Sequence, residues 1–156
     1  MSKASIKRPP DNSQATRYED DLYTWVGEQV ALLRSGRLAE IDALNVAEEL
    51  SDVGVAQLDK LENAITILTQ HLLKWDHVQN QRSRSWALEI RIQRRHIGRL
   101  LLENPGMRLM LVEAIRERYA IGRLRASGEL DIDFRGFPES CPYSFDDLMT
   151  REIISQ

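Results

Sequence analysis

Leu58, Leu61, Ile65, Leu68, Leu72 and Trp75 recur at steps of three and four residues, the spacing that lines one face of an α-helix. At about 100° per residue, Ala64 and Ile67 flank this stripe on one side and Leu73 on the other. The second half of the segment is apolar nearly all round, the pattern of a helix buried on several sides. Two helices are predicted before it. The first runs from Asp20 or Asp21 to about Ser35, with acids at its positive end, an apolar face of Leu22, Trp25, Val26, Val30 and Leu33, and Gly36 as terminator. The second is short, about Ala43–Asp52, capped by Asp42 and stopping near Gly54. The long stripe is therefore the third helix.

After it, the polar run DHVQNQRS (76–83) makes a connection, and a fourth helix is predicted from about Trp86 to Glu103 with Ser85 as its N-cap. Asn104-Pro105 places proline at the first helical position of a fifth. In that helix Val112, Ile115, Tyr119, Gly122 and Ala126 form the stripe, and Gly128 closes it. Residues 129–144 are turn-rich, and Ser144-Phe145-Asp146-Asp147 reads as a capping box opening a last short helix to about Thr150. No strand-period segment of useful length occurs. The expected fold is all-α: a single-domain helical bundle of about five main helices, with helices three, four and five as an antiparallel core and a short C-terminal helix. Residues 1–17, polar and broken by Pro9-Pro10, are expected to be a disordered tail, with one all-helical domain over 18–156.

The fourth helix sorts its residues by face. Trp86, Ile90, Ile97, Leu100 and Leu101 gather on one side, and Arg84, Arg91, Arg95 and Arg99 on the other. Two features break that division. Gln93 sits on the apolar face, where it needs hydrogen-bond partners or costs about 1–3 kcal/mol. Leu88 and Ile92 sit beside the arginines, so this face is expected to meet another element or subunit. Arg82 and Arg84 stand at the N-terminal end of the helix, where the macrodipole disfavours cations by some tenths of a kcal/mol. They therefore call for an anionic partner. Glu48 or Glu49 is expected in that role ahead of a bound anion.

Charge is spread unevenly, which fits a basic binding face or, as is commoner, two halves that pack against each other. Residues 18–62 hold eleven acids against three bases, whereas residues 82–99 hold six arginines and one acid, Glu89. Over the 156 residues the net charge is −3, which argues against a chain built throughout for nucleic acid. Nothing approaches the roughly 18 apolar residues of a membrane span, and the N-terminus lacks the apolar region of a secretory signal. Cys141 is the single cysteine, which fits a reducing, cytoplasmic compartment. His71, His77 and His96 lack the Glu-x-x-His spacing of metal-binding bundles, so no metal or other cofactor is expected. No phosphate loop or nucleophile elbow is present, and Cys141, between Ser140 and Pro142, reads as a structural thiol. No catalytic residue is assigned.

Several local motifs follow one another along the chain: Tyr23-x-Trp25, Gln29-x-x-x-Leu33-Arg34, Asn45-x-x-Glu48-Glu49, His71-Leu72-Leu73-Lys74-Trp75, Arg82-Ser83-Arg84-Ser85-Trp86, Gln93-Arg94 and Cys141-Pro142-Tyr143. In this order, from Tyr18 to about Met149, the chain resembles the bacterial DUF29 family, a domain of unknown function. Where that family carries a Gln-Pro step between the HLLKW and RSRSW motifs, this chain reads Val78-Gln79. The resemblance implies an all-helical fold and no established activity. It also picks out a mainly polar set: Glu48, Glu49, His71, Lys74, Arg82, Arg84, Ser85, Gln93 and Arg94. These are expected to converge, with Glu48 or Glu49 paired to Arg84 or Arg94 and with His71 and Gln93 completing a buried network. The functional expectation is a non-catalytic helical protein acting through a surface that binds another protein or a second copy of itself. The alternative is an anion- or nucleic-acid-binding module using Arg82, Arg84, Arg91, Arg95 and Arg99.

Overall fold

A computed structural model describes residues 15–153 of the chain. They form five α-helices, α1 (Leu22–Ser35), α2 (Ala43–His77), α3 (Arg84–Glu103), α4 (Leu111–Leu130) and α5 (Phe145–Thr150), joined by short 3-10 turns. No strand occurs among the described residues, and the fold is all-α. None of these helices is long and apolar enough to cross a membrane. The tail expected over residues 1–17 lies, for residues 1–14, outside the described part. Thr16, beyond it, donates through both its backbone N–H and its hydroxyl to Glu28.

Contacts divide the chain into two compact units, residues 1–54 and 55–156. In the first, the Asp21 carboxylate caps α1 by accepting from Thr24 N–H at 3.0 Å. Gly36 ends it at φ 72°, and Arg37 N–H returns to Leu32 O, the paired closure that only a left-handed residue allows. Trp25 is buried, with the Tyr18 ring edge-on at 4.9 Å, and Tyr18 Oη donates to Glu49 on α2. Gln29, also buried, accepts from Asp42 N–H, and Asp42 in turn caps α2 through Asn45 N–H.

The second unit is an up-down-up arrangement of the later part of α2 with α3 and α4. Lys74 near the end of α2 lies over Trp86 near the start of α3, so the two helices form an antiparallel hairpin. Along α2 and α4 the contacts climb together: Glu62 with Arg118, Thr66 and Thr69 with Gly122, Gln70 with Glu129. Those two helices are therefore parallel. Leu61, Ile65, Leu68 and Leu72 of α2 are fully buried with Ile90 of α3, and Ile97 and Leu101 of α3 join them, as does Tyr119 of α4. At Gly122 the two helices come close, since a Cβ there would stand 2.4 Å from Thr69 Oγ1 and 3.0 Å from Thr66 O.

The observed helices correct four sequence expectations. The predicted second and third helices are one. Gly54 stays right-handed and continues α2, because a mid-helix glycine costs only about 1 kcal/mol and ending and renucleating a helix costs more. α3 is capped by Ser83, whose extended backbone lets its hydroxyl accept from Trp86 N–H, while Ser85 lies inside the first turn and bonds Ser83 Oγ. Pro105 opens a 3-10 turn (Pro105–Met110) instead of α4 itself. That shift of phase turns Leu111 inward and leaves Val112 82% exposed. Gly128 does not close α4. Asp131 takes the left-handed position at φ 53°, and Ile132 N–H and Ser127 Oγ complete the closure. The capping box at Ser144 and Asp147 forms as read.

Candidate functional site

The connection between α2 and α3 shapes an open groove of about 510 Å³ lined by Trp75, Gln79, Arg82, Ser83, Arg84, Ala87, Leu88 and Arg91. Its position follows from local chemistry. Arg82 Nε donates to Trp75 O at 2.8 Å while its guanidinium lies 4.9 Å from the Trp75 ring centre, which folds the connection back over the end of α2. Ser83 then starts α3, and the next turns present Arg84, Leu88, Arg91, Ile92 and Arg95, all exposed. Leu88 is 44% and Ile92 56% exposed. The groove lining contains three arginines and no carboxylate. Among the described residues Arg84, Arg91 and Arg95 meet no acidic partner, whereas Arg99 is bonded to Glu103 at 2.8 Å.

The partners expected for these arginines are not those found. Glu49 accepts from Tyr18, and Arg94 is turned to the backbone, donating to Leu148 O at 2.6 Å and Asp147 O at 3.4 Å. Burial and the neighbouring Arg151 charge pull the Arg94 guanidinium below its ordinary range. Nor do His71 and Gln93 share one network. His71 Nδ1 bonds Ile67 O four residues back, and since a carbonyl can only accept, Nδ1 carries the proton. Burial pulls the His71 pKa below 6.5, against the Ile67 carbonyl, which raises it. Gln93 is buried and donates to Glu89 one turn earlier on its own helix.

Of the expected polar set, Lys74 is the residue that a tertiary ion pair holds among the described residues. Its side chain has no exposed surface, its Nζ stands 2.6 Å from Glu129 Oε1, and it lies 4.6 Å from the Trp86 ring centre. Gln70 Nε2 donates to the other oxygen of Glu129. Burial raises the Glu129 pKa, but the hydrogen bond and charge of Lys74, with Gln70, outweigh it and hold the carboxyl below its usual 4.5. A fully buried lysine is seen almost only when paired, and the partner here is an acid that sequence reasoning placed beyond the end of α4. A signal was present: a lysine in the all-round apolar half of a helix needs a distant counter-charge.

A third cluster fixes the segment after α4. Asp76 accepts two bonds from Arg151, at 2.9 and 2.7 Å, and a third from Tyr143 Oη at 2.7 Å. Arg151 also stacks on the Tyr143 ring, 5.3 Å from its centre. Burial and then the Asp76 carboxylate push the Tyr143 hydroxyl pKa up. Cys141 Sγ is half-buried and donates to Tyr143 O, and burial raises its thiol, the opposite of an activated nucleophile. Among the described residues no group of three His, Cys, Asp or Glu side chains is placed to hold a metal ion.

Residues 17–154 match the family described as "Domain of unknown function DUF29". The chain belongs to DUF29. No curated protein and no solved structure matches it. Apart from Trp25, Gln29, Asn45 and Glu49 in the first unit, motif residues of this DUF29 chain mark three places in the second. Lys74 and Trp86 hold the α2–α3 hairpin, Arg94 and Tyr143 hold the C-terminal segment, and Arg82 and Arg84 border the groove.

Proposed function

We propose that this DUF29 chain is a binding module without chemistry of its own, and that the arginine face of α3 receives an acidic, partly apolar segment of a protein partner. One observation carries the reading: Arg82, Arg84 and Arg91 line a groove that holds no carboxylate, with Leu88 and Ile92 exposed beside them. Uncompensated guanidinium groups favour carboxylate or phosphate. Exposed aliphatic side chains between them add affinity only for a ligand with apolar groups, which a peptide has along its length and a phosphodiester backbone does not. The neutralisation of Arg99 by Glu103 further shortens the row available to a nucleic acid. The single, half-buried cysteine suits a reducing compartment, and we place the protein in the cytoplasm.

The experiment is fluorescence anisotropy with three probes: an acidic amphipathic peptide, its amide-for-acid version and a mixed-sequence oligonucleotide. The acidic peptide is expected to bind, the amide version to bind at least about tenfold more weakly, and Arg84→Glu/Arg91→Glu to abolish the difference. Oligonucleotide binding with a steep salt dependence, lost in the same variant, would replace the proposal with nucleic-acid binding.

A further inference from the structure

We infer that the acidic segment received by α3 is the first part of α2 in a second copy of this chain; the inference rests on the reading of the α3 face given above. The two surfaces match in spacing and oppose in charge. On α3, Arg84, Leu88, Arg91 and Ile92 stand at steps of +4, +7 and +8 from the first. On α2, Leu44, Glu48, Ser51 and Asp52 stand at the same steps. Each set spans roughly 12 Å of helix and occupies one side of it. All eight residues are exposed, Leu44 by 85%, so the acidic stripe is as uncovered as the basic one. Among the described residues Glu48 and Asp52 have no cationic partner, just as Arg84 and Arg91 have no anionic one.

Laid antiparallel, Leu44 falls level with Ile92, Glu48 lies between Arg84 and Arg91, and Asp52 meets Arg84. Laid parallel, Glu48 keeps that level and Asp52 comes beside Arg91, but Leu44 then faces Arg84. Charge matches in both directions, and the antiparallel one is favoured because it alone also sets Leu44 against Ile92. The first fourteen residues, with Lys3, Lys7 and Arg8 against Asp11, carry the wrong sign to cover the arginine face themselves. A stripe of this length buries less than a standard interface of roughly 800 Å² per partner, so the association is weak and salt-sensitive.

Sedimentation velocity of the full chain over about 10 µM to 1 mM tests this. Dimers or longer species are expected at low salt and are expected to dissociate in about 0.5 M salt, where the screening length is well below 10 Å. Two variants, Glu48→Arg/Asp52→Arg and Arg84→Glu/Arg91→Glu, are each expected to be monomeric, and an equimolar mixture of them is expected to associate again, since each then offers a face that fits the other. All four positions are exposed, and circular dichroism verifies that the variants keep their helices. A wild-type chain that stays monomeric, or a mixture that does not associate, overturns the inference. If the wild type is monomeric while the acidic peptide still binds in an Arg84- and Arg91-dependent way, the self-partner falls and the binding module stands.

Discussion

Gly122→Ala is expected to destabilise the helix bundle, although alanine is the better helix former. The new Cβ would stand 2.4 Å from Thr69 Oγ1, 3.0 Å from Thr66 O and 3.2 Å from Gln70 N. Two of those atoms are backbone of α2. The third cannot swing aside freely, because Thr69 is fully buried and its hydroxyl donates to Ile65 O and Thr66 O. Relief must therefore come from moving α4 off α2. Overpacking of this kind costs about 1–3 kcal/mol, and the backbone contacts place this site toward the upper end. The gain in helix propensity returns about 1 kcal/mol. The net expectation is a loss of roughly 1–2 kcal/mol. Gly128→Ala on the same helix supplies the reference, since it is exposed, helical and has nothing within 4 Å of its added Cβ. There the propensity term acts alone, and a gain of about 0.5–1 kcal/mol is expected. Urea unfolding followed by circular dichroism measures both. Thr69→Ala, which removes the nearest atom, should then recover part of the Gly122→Ala loss, with a coupling of about 0.5 kcal/mol or more. Equal stability of the two glycine variants, or additive behaviour with Thr69→Ala, would refute the close helix crossing.

Two further outcomes are expected. Because the folded-state pKa of Glu129 is lowered, its contribution is present above the unfolded value near 4.5 and is lost as pH falls through the folded value; with the carboxylate half-exposed, it amounts to no more than about 1 kcal/mol. Glu129→Gln should therefore differ from wild type in unfolding free energy at pH 6 and converge with it toward pH 3, whereas the loss that begins near pH 6.5 from His71, whose folded pKa is also lowered, persists in both. Ser83→Ala should cost about 1 kcal/mol as a lost N-cap and Ser85→Ala much less, read from their urea midpoints; the reverse order would move the start of α3.

Features decided by neighbours in sequence were legible in it. Asp21 and Gly36 bound α1, and Ser144 with Asp147 opens α5, because a cap needs only the residues of one turn. The α2 stripe gave the core because burial follows periodicity. The glycines were harder. Gly36 and Gly54 are the same residue type, but only Gly36 adopts positive φ, and that depends on whether the next N–H finds a carbonyl to close on. The polar set was read less well for a related reason. Arg94 and Arg82 end on backbone carbonyls, and every residue offers one, so no pattern of side chains announces such a partner. Lys74 and Glu129 are 55 positions apart, and only the parallel packing of α2 and α4 makes them neighbours.

The Asp76 clamp gives the chain an order of assembly in time. Its two partners come 67 and 75 residues later in sequence. At a synthesis rate of about 5–20 residues per second, the carboxylate is made roughly 4–15 s before Arg151 exists. The α2–α3 hairpin, joined by a short connection, closes in far less time than that. A growing chain can therefore pair the hairpin early, whereas the Asp76 clamp cannot close before Arg151 has been synthesised.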